Sequence, residues 1–96
     1  MGRASLTPLA RRHLDNIWDH ISQDSPKAAD DLLARMFDKL ELAADNIGIG
    51  TPRPTLRSDA RALIIGPYIA FYIPDADGIS VIAVVHGMRE PKNWFD

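Results

Sequence analysis

Three apolar, β-branched runs follow one another between Arg61 and Arg89, and they restrict the fold more than any other feature of the chain. Ala62 to Gly66, Tyr68 to Ile73 and Ile79 to His86 are rich in Ile, Val, Tyr and Phe, residues that suit a pleated, half-buried surface. Gly66-Pro67 separates the first two runs and Pro74-Asp75-Ala76-Asp77-Gly78 the last two, both combinations that turn a chain tightly. The pattern predicts three consecutive antiparallel strands. In the middle strand Tyr68, Ala70 and Tyr72 share one face, and Ile69, Phe71 and Ile73 the other. In the last, Ile79, Val81, Ala83 and Val85 alternate with Ser80, Ile82, Val84 and His86. Both faces are largely apolar, so both need cover.

The N-terminal half supplies cover for one of them. Arg3 to Leu6 is short and reads as an edge strand. Thr7-Pro8 is a helix start: the hydroxyl can cap the first turn, and Pro at the first helical position loses no hydrogen bond. Ala10, Leu14, Ile17 and Ile21 recur at helical spacing, widened by Leu9 and Trp18. Ser25-Pro26 repeats the start signal after a tight turn at Gln23-Asp24, and a second helix runs from Pro26 to about Asp45. Its stripe is Ala29, Leu33, Met36, Leu40 and Ala43, extending to Ile47 and flanked by Leu32, Phe37 and Ala44, and its charged residues form a solvated face. Two Gly and two Pro keep Asn46 to Asp59 irregular. Gly48-Ile49-Gly50 is a helix cap and a turn rather than a phosphate loop, because a helix precedes it and no third Gly or Gly-Lys-Ser/Thr follows.

A chain of 96 residues suffices for one compact domain spanning residues 1–96, with no element to spare for the second face of the sheet. That face is expected to bind a partner, since large exposed apolar patches mark interfaces. A net charge of −2 argues against general nucleic-acid binding. No apolar run approaches the roughly 20 residues of a membrane span, and the N-terminus has no signal-peptide pattern. Absence of cysteine removes disulfide and thiolate chemistry and is compatible with a reducing cytoplasm. His13 and His20 stand seven residues apart without a ligand cluster beside them, so neither a metal nor another cofactor is expected.

The last strand delivers His86, Arg89 and Lys92 to one end of the sheet, and the chain closes on Trp94-Phe95, aromatics expected to fold back and bury themselves. His86 fits two roles, a structural histidine at a strand end or a contact to a target. Arg61 either blunts a strand edge or pairs with an acidic partner segment. Arg53 and Arg57, on the irregular segment, are either solvated charges or contacts to a phosphate or a protein partner.

The ordered set resembles the RelE/ParE superfamily of small bacterial toxins. It comprises Ala10 and Ile17-Trp18, Ser25-Pro26 with Ala28-Ala29, Gly50-Thr51-Pro52-Arg53, Leu56-Arg57, Arg61, Gly66-Pro67-Tyr68, Phe71-Tyr72 and Val84-Val85-His86-Gly87-Met88-Arg89. The resemblance spans nearly the whole chain and is closer to ParE than to RelE. It implies an α+β fold, with a short N-terminal strand and an α-helical hairpin packed on a three- to four-stranded antiparallel sheet. It implies a type II toxin that poisons DNA gyrase by binding rather than by covalent chemistry, neutralised in a hetero-oligomer by a ParD-like antitoxin. His86, Arg89, Lys92 and Trp94 would touch the target, and Leu14, Trp18, Arg57, Arg61, Tyr68 and Tyr72 the antitoxin. The alternative within the superfamily is a RelE-like ribosome-dependent mRNA endonuclease, with His86 as acid/base and Arg61 and Arg89 on the phosphate. The Tyr that many RelE-like members carry near the C-terminus is absent here, and Trp94 cannot replace it as an acid or base.

Overall fold

A computed structural model describes residues 2–87. Strand β1 (Arg3–Leu6) leads into helices α1 (Pro8–Ser22) and α2 (Pro26–Asp45). A 3-10 turn (Ile47–Ile49) and the two-residue strand β2 (Thr51–Pro52) follow, then β3 (Arg61–Ile65), β4 (Tyr68–Asp75) and β5 (Gly78–His86). Both helices begin as their caps dictate. Thr7 Oγ1 accepts the Ala10 N–H at 3.1 Å and Ser25 Oγ accepts the Ala28 N–H at 3.1 Å, with Pro8 and Pro26 directly behind them.

The five strands form one sheet in the order β1-β5-β4-β3-β2. The sheet is wider than the three or four strands expected, because β1 pairs parallel to β5 and Thr51–Pro52 adds a short antiparallel edge to β3. Pro52 is tolerated there because an edge position demands no donor on its outer side. The β3–β4 hairpin turns through Gly66 at φ +58, a left-handed conformation that glycine adopts without a Cβ penalty and that suits the twist of a two-residue hairpin.

The helical hairpin lies on one face. Ala10 and Leu14 of α1 and Leu32, Met36, Leu40, Ala43 and Ala44 of α2 bury against Ala70, Tyr72, Ile79, Val81 and Val84. Leu32, rather than Leu33, is the core residue in the second turn of α2; Leu33 is only half-buried. The opposite face is smaller and partly covered, which corrects the expectation that nothing was left to cover it. Ala62, Phe71 and Ala83 are buried there, flanked by Leu9, Leu56, Ile69 and Val85. The covering element is the segment 53–60, folded by turns in which Leu56 N–H reaches Arg53 O and Ala60 N–H reaches Arg57 O, each at 3.0 Å. Its Arg53 guanidinium sits 5.5 Å from the centroid of the Phe71 ring. Ile64, 67% exposed, marks the uncovered end of this face.

Strict alternation along β5 fails at one residue. Phe71 pairs with Ala83 but Tyr72 with Val81, so Ile82 is an extra residue in the ladder. One inserted residue reverses the phase of everything beyond it. Ile79 and Val81 face the helices, and after the bulge Val84 does so too, while Ala83 joins Phe71 on the other face. His86, opposite Tyr68, therefore emerges on the helix side of the sheet.

Candidate functional site

Residues one and two turns apart share a helix face, and His13, Asn16, Ile17, His20 and Ile21 make such a face on α1. It looks across an open groove of about 800 Å³ at Pro67, Tyr68, Val84, Val85 and His86. All three histidines of the chain line this groove. His86 meets Tyr68 edge to face, with ring centroids 5.7 Å apart and planes at 79°. His13 Nδ1 accepts the Val84 N–H at 3.1 Å, beyond the point where β1 stops pairing with β5 at Leu6. Thr7 holds the edge just before it, donating its N–H to Val81 O at 3.0 Å and its hydroxyl to Ile82 O at 2.9 Å. Backbone groups on the β5 edge are thus satisfied by α1 and its cap, as buried polar groups require.

A second constellation occupies the other end of the sheet. The Tyr72 hydroxyl donates to Ile47 O at 2.7 Å and accepts the Gly50 N–H at 2.9 Å. Burial pushes the Tyr72 hydroxyl above its ordinary pKa, opposed by the Gly50 hydrogen bond and the nearby Arg61 charge. Arg61 Nη1 donates to Gly50 O at 2.6 Å and to Gly48 O at 3.4 Å. Tyr72 and Arg61 together pin the turn after α2 to the sheet.

The residues expected to contact partners are spread over this framework. Leu14, 3% exposed, and Tyr72, fully buried, belong to the core and offer no surface to a partner in this conformation. Arg61 is engaged by two backbone carbonyls, and Arg57 Nε pairs with Asp59 Oδ1 at 2.9 Å. Trp18 is half-buried and ties the hairpin together through its indole N–H to Asp30 Oδ1 at 2.8 Å. Tyr68 and His86 line the groove. Arg89, Lys92 and Trp94, with the Trp94-Phe95 ending, lie outside the described residues.

Arg61 and His86 do not come together. Arg61 pairs with Tyr72, and His86 with Tyr68. Four residues along β4 and two strand spacings put their backbones roughly 16 Å apart. The Arg61 side chain, moreover, is turned to the Gly48 and Gly50 carbonyls. A phosphate held by one is not held by the other. Among the described residues, no three His, Cys, Asp or Glu are placed to hold a metal ion. His13 and His20 are groove residues that the sequence reading passed over as a poor metal pair. Their seven-residue spacing, two helical turns, was the signal that they share a face.

An α-helical hairpin on a five-stranded open sheet is an α+β fold. It is shared by a solved chromosomal ParDE TA system from P. aeruginosa, at a TM-score of 0.71 and 22% identity, covering 90% of this chain and 96% of that one. Residues 4–91 match the family described as the ParE toxin of the type II toxin-antitoxin system, parDE. The chain belongs to the ParE toxin family. No curated protein matches the sequence. Among the described residues no helix is long and apolar enough to cross a membrane.

Proposed function

We propose that this protein acts as a toxin by binding, holding DNA gyrase in a state that blocks replication, and that a ParD-like antitoxin neutralises it in a hetero-oligomer. The family match over residues 4–91 carries the reading. The separation of Arg61 from His86 supports action by binding over RNA cleavage, because in-line attack by a 2′-hydroxyl needs acid, base and cations around one phosphate. His86, on the exposed rim of the groove, is the described residue assigned to the target, with Arg89, Lys92 and Trp94 following it in the chain. Trp18, Arg57 and Tyr68 are assigned to the antitoxin. An amphipathic acidic segment that folds on the toxin matches their mix of aromatic and basic character.

Expression of the toxin without its antitoxin tests this. Filamentation together with gyrase-linked DNA breaks is the expected result. Immediate arrest of protein synthesis with cut mRNA would replace gyrase by the ribosome as the target. Normal growth at high expression would remove the toxin reading altogether.

A further inference from the structure

Residues 47–60 leave the end of α2 on the helix side of the sheet, pass the β3 edge as Thr51–Pro52, and return to β3 over the opposite face. They form a strap round one edge of the sheet. Little apolar surface holds it. Gly50 and Ala60 are its buried residues, Ile47, Arg53, Leu56 and Asp59 are half-buried, and the rest are exposed. Its ladder with β3 is two residues long, and Pro52 brings no N–H to it.

The bonds that tie the first half of the strap to the sheet converge on two side chains. The Tyr72 hydroxyl accepts the Gly50 N–H at 2.9 Å and donates to Ile47 O at 2.7 Å. Arg61 Nη1 donates to Gly50 O at 2.6 Å and to Gly48 O at 3.4 Å. Both are anchored in the sheet, Tyr72 fully buried on β4 and Arg61 at the start of β3. The second half is held largely by its own bonds. Arg53 N–H reaches Ala60 O at 2.8 Å, Leu56 N–H reaches Arg53 O at 3.0 Å, and Ala60 N–H reaches Arg57 O at 3.0 Å. Beneath the strap, β3, β4 and β5 pair with one another along their length.

We infer that residues 47–60 open and close as one unit on an otherwise folded sheet, with Tyr72 and Arg61 as the clasp. Segments with few buried apolar contacts and few bonds to their surroundings open separately from a core. Once Gly50 leaves Tyr72 and Arg61, the short Thr51–Pro52 ladder is the remaining backbone link to the middle of the strap, and Arg53 and Leu56 lose their place above Phe71. Opening bares Ala62 and Phe71, 7% and 1% exposed in the closed form, beside Ile64, already 67% exposed. Ala62 pairs with Phe71 and Ile64 with Ile69, and alternate residues share a face, so the newly bared surface is continuous with the old. The strap therefore sets how much apolar surface this side of the molecule shows. None of this depends on the toxin reading.

Hydrogen exchange of the full, isotope-labelled chain tests the unit, following the Gly50, Arg53, Leu56 and Ala60 amides across sub-denaturing urea. In the wild type these four should share one opening that depends on urea less than exchange of the β4 and β5 amides does, because it exposes less surface. Two variants separate the strap from the rest. Tyr72→Phe removes the hydroxyl of the clasp and should lower the protection of all four together by about 30-fold, although Leu56 and Ala60 bond neither Tyr72 nor Gly50. Thr7→Ala acts at the opposite edge of the sheet, where Thr7 caps α1 and bonds Ile82 O. It should lower the protection of the β4 and β5 amides and leave the four strap amides unchanged, since the Thr7 bonds are made whether the strap is open or closed. Loss at Gly50 alone in Tyr72→Phe would overturn the cooperative strap. So would strap amides that fall in step with β4 and β5 in Thr7→Ala. If Tyr72→Phe does not fold, the wild-type urea series and Thr7→Ala decide the matter, and four amides with four separate openings sink it.

Discussion

Replacing Tyr72 by Phe removes one oxygen atom and leaves the ring that packs against the helices. Two backbone groups then lose their partner, the Gly50 N–H at 2.9 Å and the Ile47 carbonyl at 2.7 Å. They are not equivalent. Gly50 is buried, so its N–H is left without water, a loss of about 1–3 kcal/mol. Ile47 is only half-buried, and solvent can replace much of its bond, leaving about 0–1 kcal/mol. Tyr72→Phe should therefore destabilise the protein by about 2 kcal/mol, which for a chain of this size lowers Tm by roughly 8–16 °C. Urea unfolding is the measurement, with a lower midpoint and an unchanged slope, since the area exposed on unfolding barely changes. Hydrogen exchange gives the local readout: the Gly50 amide should lose protection in the variant beyond what the global loss of stability explains. A change below about 0.5 kcal/mol with Gly50 still protected would refute the claim that the Tyr72 hydroxyl pins this turn.

Other expectations follow from the same contacts. Burial raises the pKa of Tyr72, so the folded state holds the phenolic proton more tightly than the unfolded chain. That contribution is fully present below the unfolded value of 10.0 and is lost as the pH climbs through the folded one. Wild-type stability should fall more steeply than that of Tyr72→Phe in alkaline urea titrations. Gly50→Ala should destabilise by about 1–3 kcal/mol, because the new Cβ would overlap the Tyr72 hydroxyl and ring, which are held on all sides by the core. Gly48→Ala is the control: nothing lies within 4 Å of its Cβ, and thermal melts should barely separate it from the wild type. Thr7→Ala removes both the α1 cap and the bond to Ile82 O and should destabilise by about 1–2 kcal/mol. Thr7→Ser, which keeps the hydroxyl, should recover most of that loss in the same denaturant series.

Much of the fold was legible because local signals agreed with one another. Thr7-Pro8 and Ser25-Pro26 mark helix starts through a capping oxygen and a missing N–H, and neither depends on tertiary context. Gly66-Pro67 and Pro74 to Gly78 turn the chain where the strands end. The parallel pairing of β1 with β5 was not legible, since Arg3 to Leu6 carries no register of its own and is placed by chain crossover. The cover on the second face was missed for a similar reason. Segment 53–60 has no periodicity, and its Arg53 reads as a solvated charge until Phe71 is found beneath it.

The site was less legible than the fold, and the reason reduces to Ile82. With strict alternation from Ile79, the helix face of β5 would run Ile79, Val81, Ala83, Val85, and His86 would leave the sheet on the side away from α1. The extra residue reverses that phase, so that Val84 and His86 stand opposite Ala70 and Tyr68 and face the helices. Nothing in Val81-Ile82-Ala83 announces the bulge, because an apolar run is compatible with either phase when both faces of the sheet are apolar. A strand with one polar face would have betrayed the slip as a misplaced charge. The ambiguity that hid the bulge is thus a consequence of the two-sided core. The bulge in turn decides whether His86 joins His13 and His20 in one groove or stands alone on the opposite surface. It follows that the grouping of the three histidines is a property of β5 register, and not of any spacing that α1 could have disclosed.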